Sequence, residues 1–99
     1  MDIENIKKFI KQGKYQYSNH AKEMMFTRYI SESRVVESVL KGEVLETYTQ
    51  DVRGKSYLIL GDGPLHVVAG YNKYTAKAII ITTYVPEDPE WITSRKRGK

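Results

Sequence analysis

Val35-Val36-Glu37-Ser38-Val39-Leu40-Lys41-Gly42-Glu43-Val44-Leu45-Glu46-Thr47-Tyr48-Thr49 contains the change that decides the fold. Up to Leu40 the apolar residues recur at helical spacing, with Val35, Val36, Val39 and Leu40 on one stripe. Gly42 stops that helix. Beyond it the period becomes two, and residues 43–49, 56–61, 65–71 and 77–85 read as four strands rich in Val, Ile, Tyr and Thr. The connectors, 50–54, 62–64 and 72–75, carry turn residues such as Asp51, Gly54, Gly63, Pro64 and Asn72. None is long enough for a crossover helix, so the four strands are expected to form an antiparallel meander.

Upstream the signals are helical. Asp2 reads as the N-cap of a first helix with Ile3, Ile6 and Ile10 in line, Phe9 beside them and Gly13 at its end. Ser18 reads as the cap of a second helix over residues 19–29, with Ala21, Met24 and Met25 as its apolar face. Ser31 caps the third, and Ile30 is placed to staple onto Val35. Helices first and hairpins after predict an α+β domain: N-terminal helices packed on one face of a four-stranded antiparallel meander sheet. Pro86 and Pro89 end the last strand, and Trp91 is expected to fold back as an anchor.

Composition narrows the function classes. The chain has 99 residues, 40% hydrophobic and 28% charged, which is ordinary globular composition and room for one domain. There is no cysteine, hence no disulfide scaffold and no thiolate metal site. No apolar run spans a membrane, and the acidic N-terminus opens no signal peptide, so a cytoplasmic protein without a membrane partner is expected. The net charge of +4 comes wholly from Arg95, Lys96, Arg97 and Lys99. The expected organisation is therefore one neutral domain, 1–94, with a basic tail, 95–99, that either touches phosphates or is a solubilising end. Within the domain Lys7, Lys8, Lys11, Lys14, Lys22 and Arg28 gather on the N-terminal side, while Glu32, Glu37, Glu43 and Glu46 make the third helix and first strand acidic.

Candidate chemistry is sparse. His20, Glu23 and Thr27 fall within about 60° of one another at the margin of the second helix's apolar face. Arg28 lies inside the apolar arc, so its guanidinium either finds an anion or snorkels past the helix end to water. His66 alternates with Leu65, Val67, Ala69 and Tyr71 and projects from the opposite strand face, as a structural residue or as a catalyst. Imidazole titrates at about pH 6.5 when unperturbed, which suits acid–base work. Tyr is abundant, eight against two Phe; Tyr48, Tyr57, Tyr71 and Tyr84 lie in or near strands, where they serve either as strand formers or as stacking and phosphate-binding groups. No P-loop, dinucleotide-binding glycine pattern, zinc-protease motif or nucleophile elbow occurs. His20 and Glu23 have a metal-compatible spacing, but two ligands are not a site, so neither metal nor cofactor is expected.

A resemblance adds to this. Ser18-x-His20, Met24-Met25, Arg28-Tyr29-Ile30-Ser31, Gly42-Glu43-Val44-Leu45-Glu46-x-Tyr48, Tyr57-Leu58-Ile59-Leu60-Gly61, Pro64-Leu65-His66-Val67-Val68 and Tyr84-x-Pro86-x-Asp88-Pro89-x-x-Trp91 occur in order over roughly residues 15–95. The chain resembles a widespread prokaryotic domain family of unknown function that is similar to the RelE and BrnT toxins. Genes of that family often neighbour a YgiT/MqsA-type zinc-finger antitoxin. The resemblance implies a RelE-like fold and a toxin of a type II toxin–antitoxin module, with RNA, ribosome-bound or free, and a cognate antitoxin as partners.

The corresponding chemistry is metal-independent RNA cleavage, in which the 2′-OH attacks its own phosphate. It needs a base, an acid and cations around the phosphate. His20 and His66 are the expected acid/base pair, Arg28 the phosphate stabiliser, and Tyr84 the group that orients phosphate or stacks a base. Lys22, Arg53, Lys55, Tyr57, Arg95, Lys96 and Arg97 are the further expected RNA contacts. The alternative is a non-catalytic protein- or RNA-binding module of the same fold, with both histidines structural. A DNA reader is disfavoured, because the third helix is acidic on its outer side.

Overall fold

The computed structural model of the chain describes residues 2–51, 54–86, 91–93 and 96–97. Helix α1 (Ile3–Lys11) starts where the Asp2 carboxylate accepts from the Asn5 N–H at 2.9 Å, and it buries Ile6 and Ile10. Strand β1 (Tyr15–Tyr17) follows, then α2 (Asn19–Thr27) and α3 (Glu32–Lys41). Ser31 caps α3 as expected, accepting from the Arg34 N–H at 3.2 Å, and Ile30 joins Val35 in the core. The meander is β2 (Glu43–Asp51), β3 (Gly54–Gly61), β4 (Leu65–Asn72) and β5 (Lys77–Tyr84). A separate two-stranded ribbon pairs β6 (Trp91–Thr93) with β7 (Lys96–Arg97). The anchoring expected of the Trp91 side chain lies outside the described residues.

The α+β class holds, but the sheet is not four antiparallel strands. It has five strands in the order β1-β5-β4-β3-β2, and it is mixed. The three meander pairings are antiparallel, whereas β1 runs parallel to β5, with Tyr15 opposite Ala78 and Tyr17 opposite Ile80. Ala78 N–H to Lys14 C=O at 3.1 Å and Ser18 N–H to Ile80 C=O at 3.0 Å extend that seam. Three residues are too few to show a period of two, and the partner strand lies some sixty residues on, so nothing local marks β1.

Directly opposed strand residues share a sheet face. Ile59, Leu65, Val67, Ala69 and Ile80 point toward the helices and pack with Ile6, Ile10, Ala21, Val35 and Val39 in one core. His66 opposes Leu60 on β3 and Tyr84 on β5, and Val68 opposes Leu58 and Thr82, so these residues occupy the other face. A bulge between Val68 and Ala69 shifts the β4–β5 register.

The α3–sheet seam is closed by glycine. Gly42 ends α3 with φ −77°, so it is not chosen for a left-handed backbone. A Cβ there would collide with the Ser38 and Leu60 carbonyl oxygens, and one at Gly61 would collide with the Ser38 side chain. Ser38 itself is buried, and its hydroxyl donates to the Arg34 carbonyl at 2.7 Å.

Candidate nucleic-acid interface

Helix α2 is anchored at its start. The Ser18 Oγ accepts from the Ala21 N–H at 2.9 Å and donates to the Ile81 carbonyl at 2.7 Å, tying the cap to β5. Ala21 is fully buried, and Met24 and Met25 are half-buried. The helix breaks earlier than expected. Thr27 is its last residue, Arg28 is the C-cap, and Tyr29 turns the chain with φ 56°, a left-handed backbone that side chains other than glycine adopt at a cost.

With Ala21 facing inward, His20, Lys22, Glu23, Phe26 and Thr27 stand on the exposed side, and Arg28 and Tyr29 follow them into solvent. The Arg28 side chain is exposed at the helix end. Phe26 is 84% and Tyr29 93% exposed, which puts them, with Tyr74 at 85% in the β4–β5 turn, among the three most exposed large apolar side chains of the described residues. Neither Phe26 nor Tyr29 was singled out by sequence. Phe26 does fall outside the arc of Ala21, Met24 and Met25, which is the signal that marks it.

His66 occupies a different setting. It is 0% exposed, on the sheet face away from the helices. Its Nδ1 lies 3.5 Å from the Tyr84 hydroxyl, and the two rings meet edge-on with centroids 5.3 Å apart. Its carbonyl accepts from the buried Thr83 hydroxyl at 2.9 Å. Tyr84 is half-buried. The structure therefore brings His66 and Tyr84 together. It does not pair His66 with His20, which sits on a helix packed against the opposite sheet face. The two histidines expected to act as an acid/base pair are thus on opposite faces of the sheet.

The remaining expected contacts divide. Lys22 and Lys55 are exposed. Tyr57 is 6% exposed in the helix-facing core, so its ring is not offered to a base. Burial, and secondarily the charge of Asp2, raises its pKa. Arg53 and Arg95, and the side chains of Lys96 and Arg97, lie outside the described residues.

Two further groupings complete the surface. Tyr15 donates to the Glu32 carboxylate at 2.7 Å and meets Tyr17 edge-on at 5.8 Å. The hydrogen bond to Glu32, then burial, raises the Tyr15 pKa; burial first, then the Glu32 charge, raises that of Tyr17 well above the ordinary range. The Tyr17 hydroxyl is buried with no hydrogen-bond partner among the described residues. An open cleft of about 460 Å³ lies between the C-terminal half of α3 and the β3–β4 turn. Its charges are mixed: Arg34 donates to the Asp62 and Gly63 carbonyls at 3.4 and 3.3 Å, and Lys41 pairs with Glu37 at 3.4 Å. Among the described residues no three His, Asp or Glu side chains gather as a metal site, and no helix is long and apolar enough to cross a membrane.

Residues 17–85 match a family described as a domain of unknown function, DUF4258, and the chain belongs to that family. No curated protein matches the chain at a significant level. No solved structure does so either.

Proposed function

We propose that this DUF4258 protein acts on RNA, as the toxin of a type II toxin–antitoxin module that cleaves RNA endonucleolytically without a metal. One observation carries the reading: His20 and Lys22 are exposed on α2, and Arg28 is exposed at its C-cap, on a helix pinned to the sheet by Ser18 and Ala21. An exposed imidazole and two cations on one short, anchored helix suit a phosphate backbone. The sequence resemblance to the RelE and BrnT toxins and the helix-on-meander layout support the same reading.

In that reaction the RNA 2′-oxygen attacks the adjacent phosphorus while a base removes its proton. The bond from phosphorus to the 5′-oxygen breaks, an acid protonates that oxygen, and a 2′,3′-cyclic phosphate remains. His20 is the histidine within reach of RNA and takes the proton-transfer role. Arg28 stabilises the charge on the phosphate oxygens. Fully buried His66 touches Tyr84 and takes the part of a positioning residue for its phenol.

The burial of His66 also favours a second reading, a non-catalytic RNA- or protein-binding module, because it leaves the acid–base pair incomplete. Incubating the purified protein with free and ribosome-bound RNA in EDTA separates the two. Cleavage yields cyclic-phosphate ends, and His20→Ala or Arg28→Ala lowers the rate by about 100-fold or more. A protein that binds RNA but leaves it intact on and off the ribosome is the binding module. Growth arrest on induced expression, relieved by the product of a neighbouring gene, tests the toxin assignment itself.

A further inference from the structure

We infer that the RNA taken by this site is single-stranded, and that Phe26 and Tyr29 are the platform on which its unpaired bases stack. The inference rests on the RNA reading above and names its substrate class. Phe26 and Tyr29 are 84% and 93% exposed, on either side of the point where α2 ends. Apolar side chains held this far into water on a structured, half-anchored segment carry no packing benefit, so their rings are available to a ligand.

The surroundings favour a base over an apolar protein groove. Along residues 19–33 the other exposed residues are all polar or charged, with Lys22 and Arg28 beside the acids Glu23 and Glu32, and none is aliphatic. Lys22 lies one turn before Phe26 on the same helical stripe, a spacing that puts a cation within one helical turn of the ring. Rings flanked by cations bind single strands: each base offers a π-face, and each phosphate a charge. Duplex RNA keeps its bases stacked on one another and presents only backbone and shallow-groove edges, which an aromatic ring does not engage.

The backbone holds the second ring in place. Tyr29 adopts φ 56°, while Arg28 N–H bonds to the Met24 carbonyl at 2.9 Å and Ile30 N–H to the Met25 carbonyl at 2.9 Å. Ile30 is buried immediately after it. The chain is thus fixed on both sides of Tyr29, and the left-handed residue turns its side chain outward rather than continuing the helix.

The test is fluorescence anisotropy with a labelled single-stranded RNA of mixed sequence and with a blunt duplex of the same length, using the full chain. Wild type binds the single strand more tightly. Phe26→Ala and Tyr29→Ala each weaken that binding by about 5- to 100-fold and leave duplex binding within about twofold. Phe26→Tyr and Tyr29→Phe, which keep the ring, retain it. Lys22→Ala lowers affinity for both RNAs and reduces the salt dependence. Unaltered thermal melting of the alanine variants shows that the losses are not unfolding. If wild type binds RNA and the alanine variants bind single strand equally well, the stacking platform is wrong while the RNA reading stands. If wild type binds neither RNA, both fail. A concentration-dependent self-association abolished by Phe26→Ala would identify the two rings as a protein interface and overturn the proposal.

Discussion

Helices α2 and α3 are neighbours in the chain, separated only by Arg28, Tyr29, Ile30 and Ser31, yet they spend their apolar residues differently. Helix α3 turns Val35 and Val39 fully into the core and lays Ser38 against Gly42 and Gly61 with no room for a methyl group. Helix α2 buries Ala21 alone completely and leaves Phe26 in water. A helix that packs tightly contributes stability and tolerates little change. A helix held by a cap, one buried alanine and half-buried methionines, with an aromatic facing solvent, contributes a surface. Under the proposed function the contrast gives stability to one helix and recognition to the other, and each part can be broken separately.

The largest effect belongs to the α3 seam. Gly61→Ala drives a methyl group into Ser38, and we expect a loss of about 3 kcal/mol in urea unfolding. A loss below about 1 kcal/mol would mean that α3 can slide and is not the clamp described. Val39→Ala removes two methyl groups from a fully buried site and should lower stability by about 2 kcal/mol in the same measurement.

Strand β1, which faces the start of α3 through the Tyr15–Glu32 hydrogen bond, offers an intermediate test. Tyr17→Phe deletes a buried hydroxyl without a partner among the described residues and should raise stability by about 1 kcal/mol. It should also change the alkaline limb. Tyr15, Tyr17 and Tyr57 all have pKa values raised in the folded chain. A group with a raised folded pKa contributes stability that is complete below its unfolded value, near pH 10 for tyrosine, and that is lost as pH climbs from there toward the folded value. Stability should therefore fall above about pH 10, and more gently in Tyr17→Phe. An unchanged alkaline slope would deny Tyr17 its share. The smallest expected effect is on the other helix: Phe26→Ala should change unfolding stability by no more than about 0.5 kcal/mol. A large loss would mean that Phe26 packs in solution, and the division between the helices would collapse.

Parts of this were legible beforehand for local reasons. Caps at Asp2, Ser18 and Ser31 each need one side-chain oxygen three residues before an amide, and all three form. Alternation placed His66 on the face opposite Leu65, Val67 and Ala69, where it is found. The candidate site was less legible. The contact between His66 and Tyr84 depends on a β4–β5 register that includes a bulge, and no periodicity announces a bulge. Tyr57 looked like a surface ring because Tyr suits both faces of a strand, and only the packing of the helices buries it. The early end of α2 follows from Tyr29 taking a left-handed backbone, which helix propensity does not foresee for tyrosine.

The sequence by itself determined the elements and their class: apolar spacing, caps and turn residues are local, and each acts over a few residues. It also determined that histidine chemistry, if any, must come from His20 or His66, since there are no others. The tertiary structure decided which strand closes the sheet, which histidine meets solvent and which rings are left in water. Those outcomes depend on contacts between residues far apart in the chain, such as Tyr15 with Ala78 and Ser18 with Ile81, and on the volume left once both sheet faces are filled.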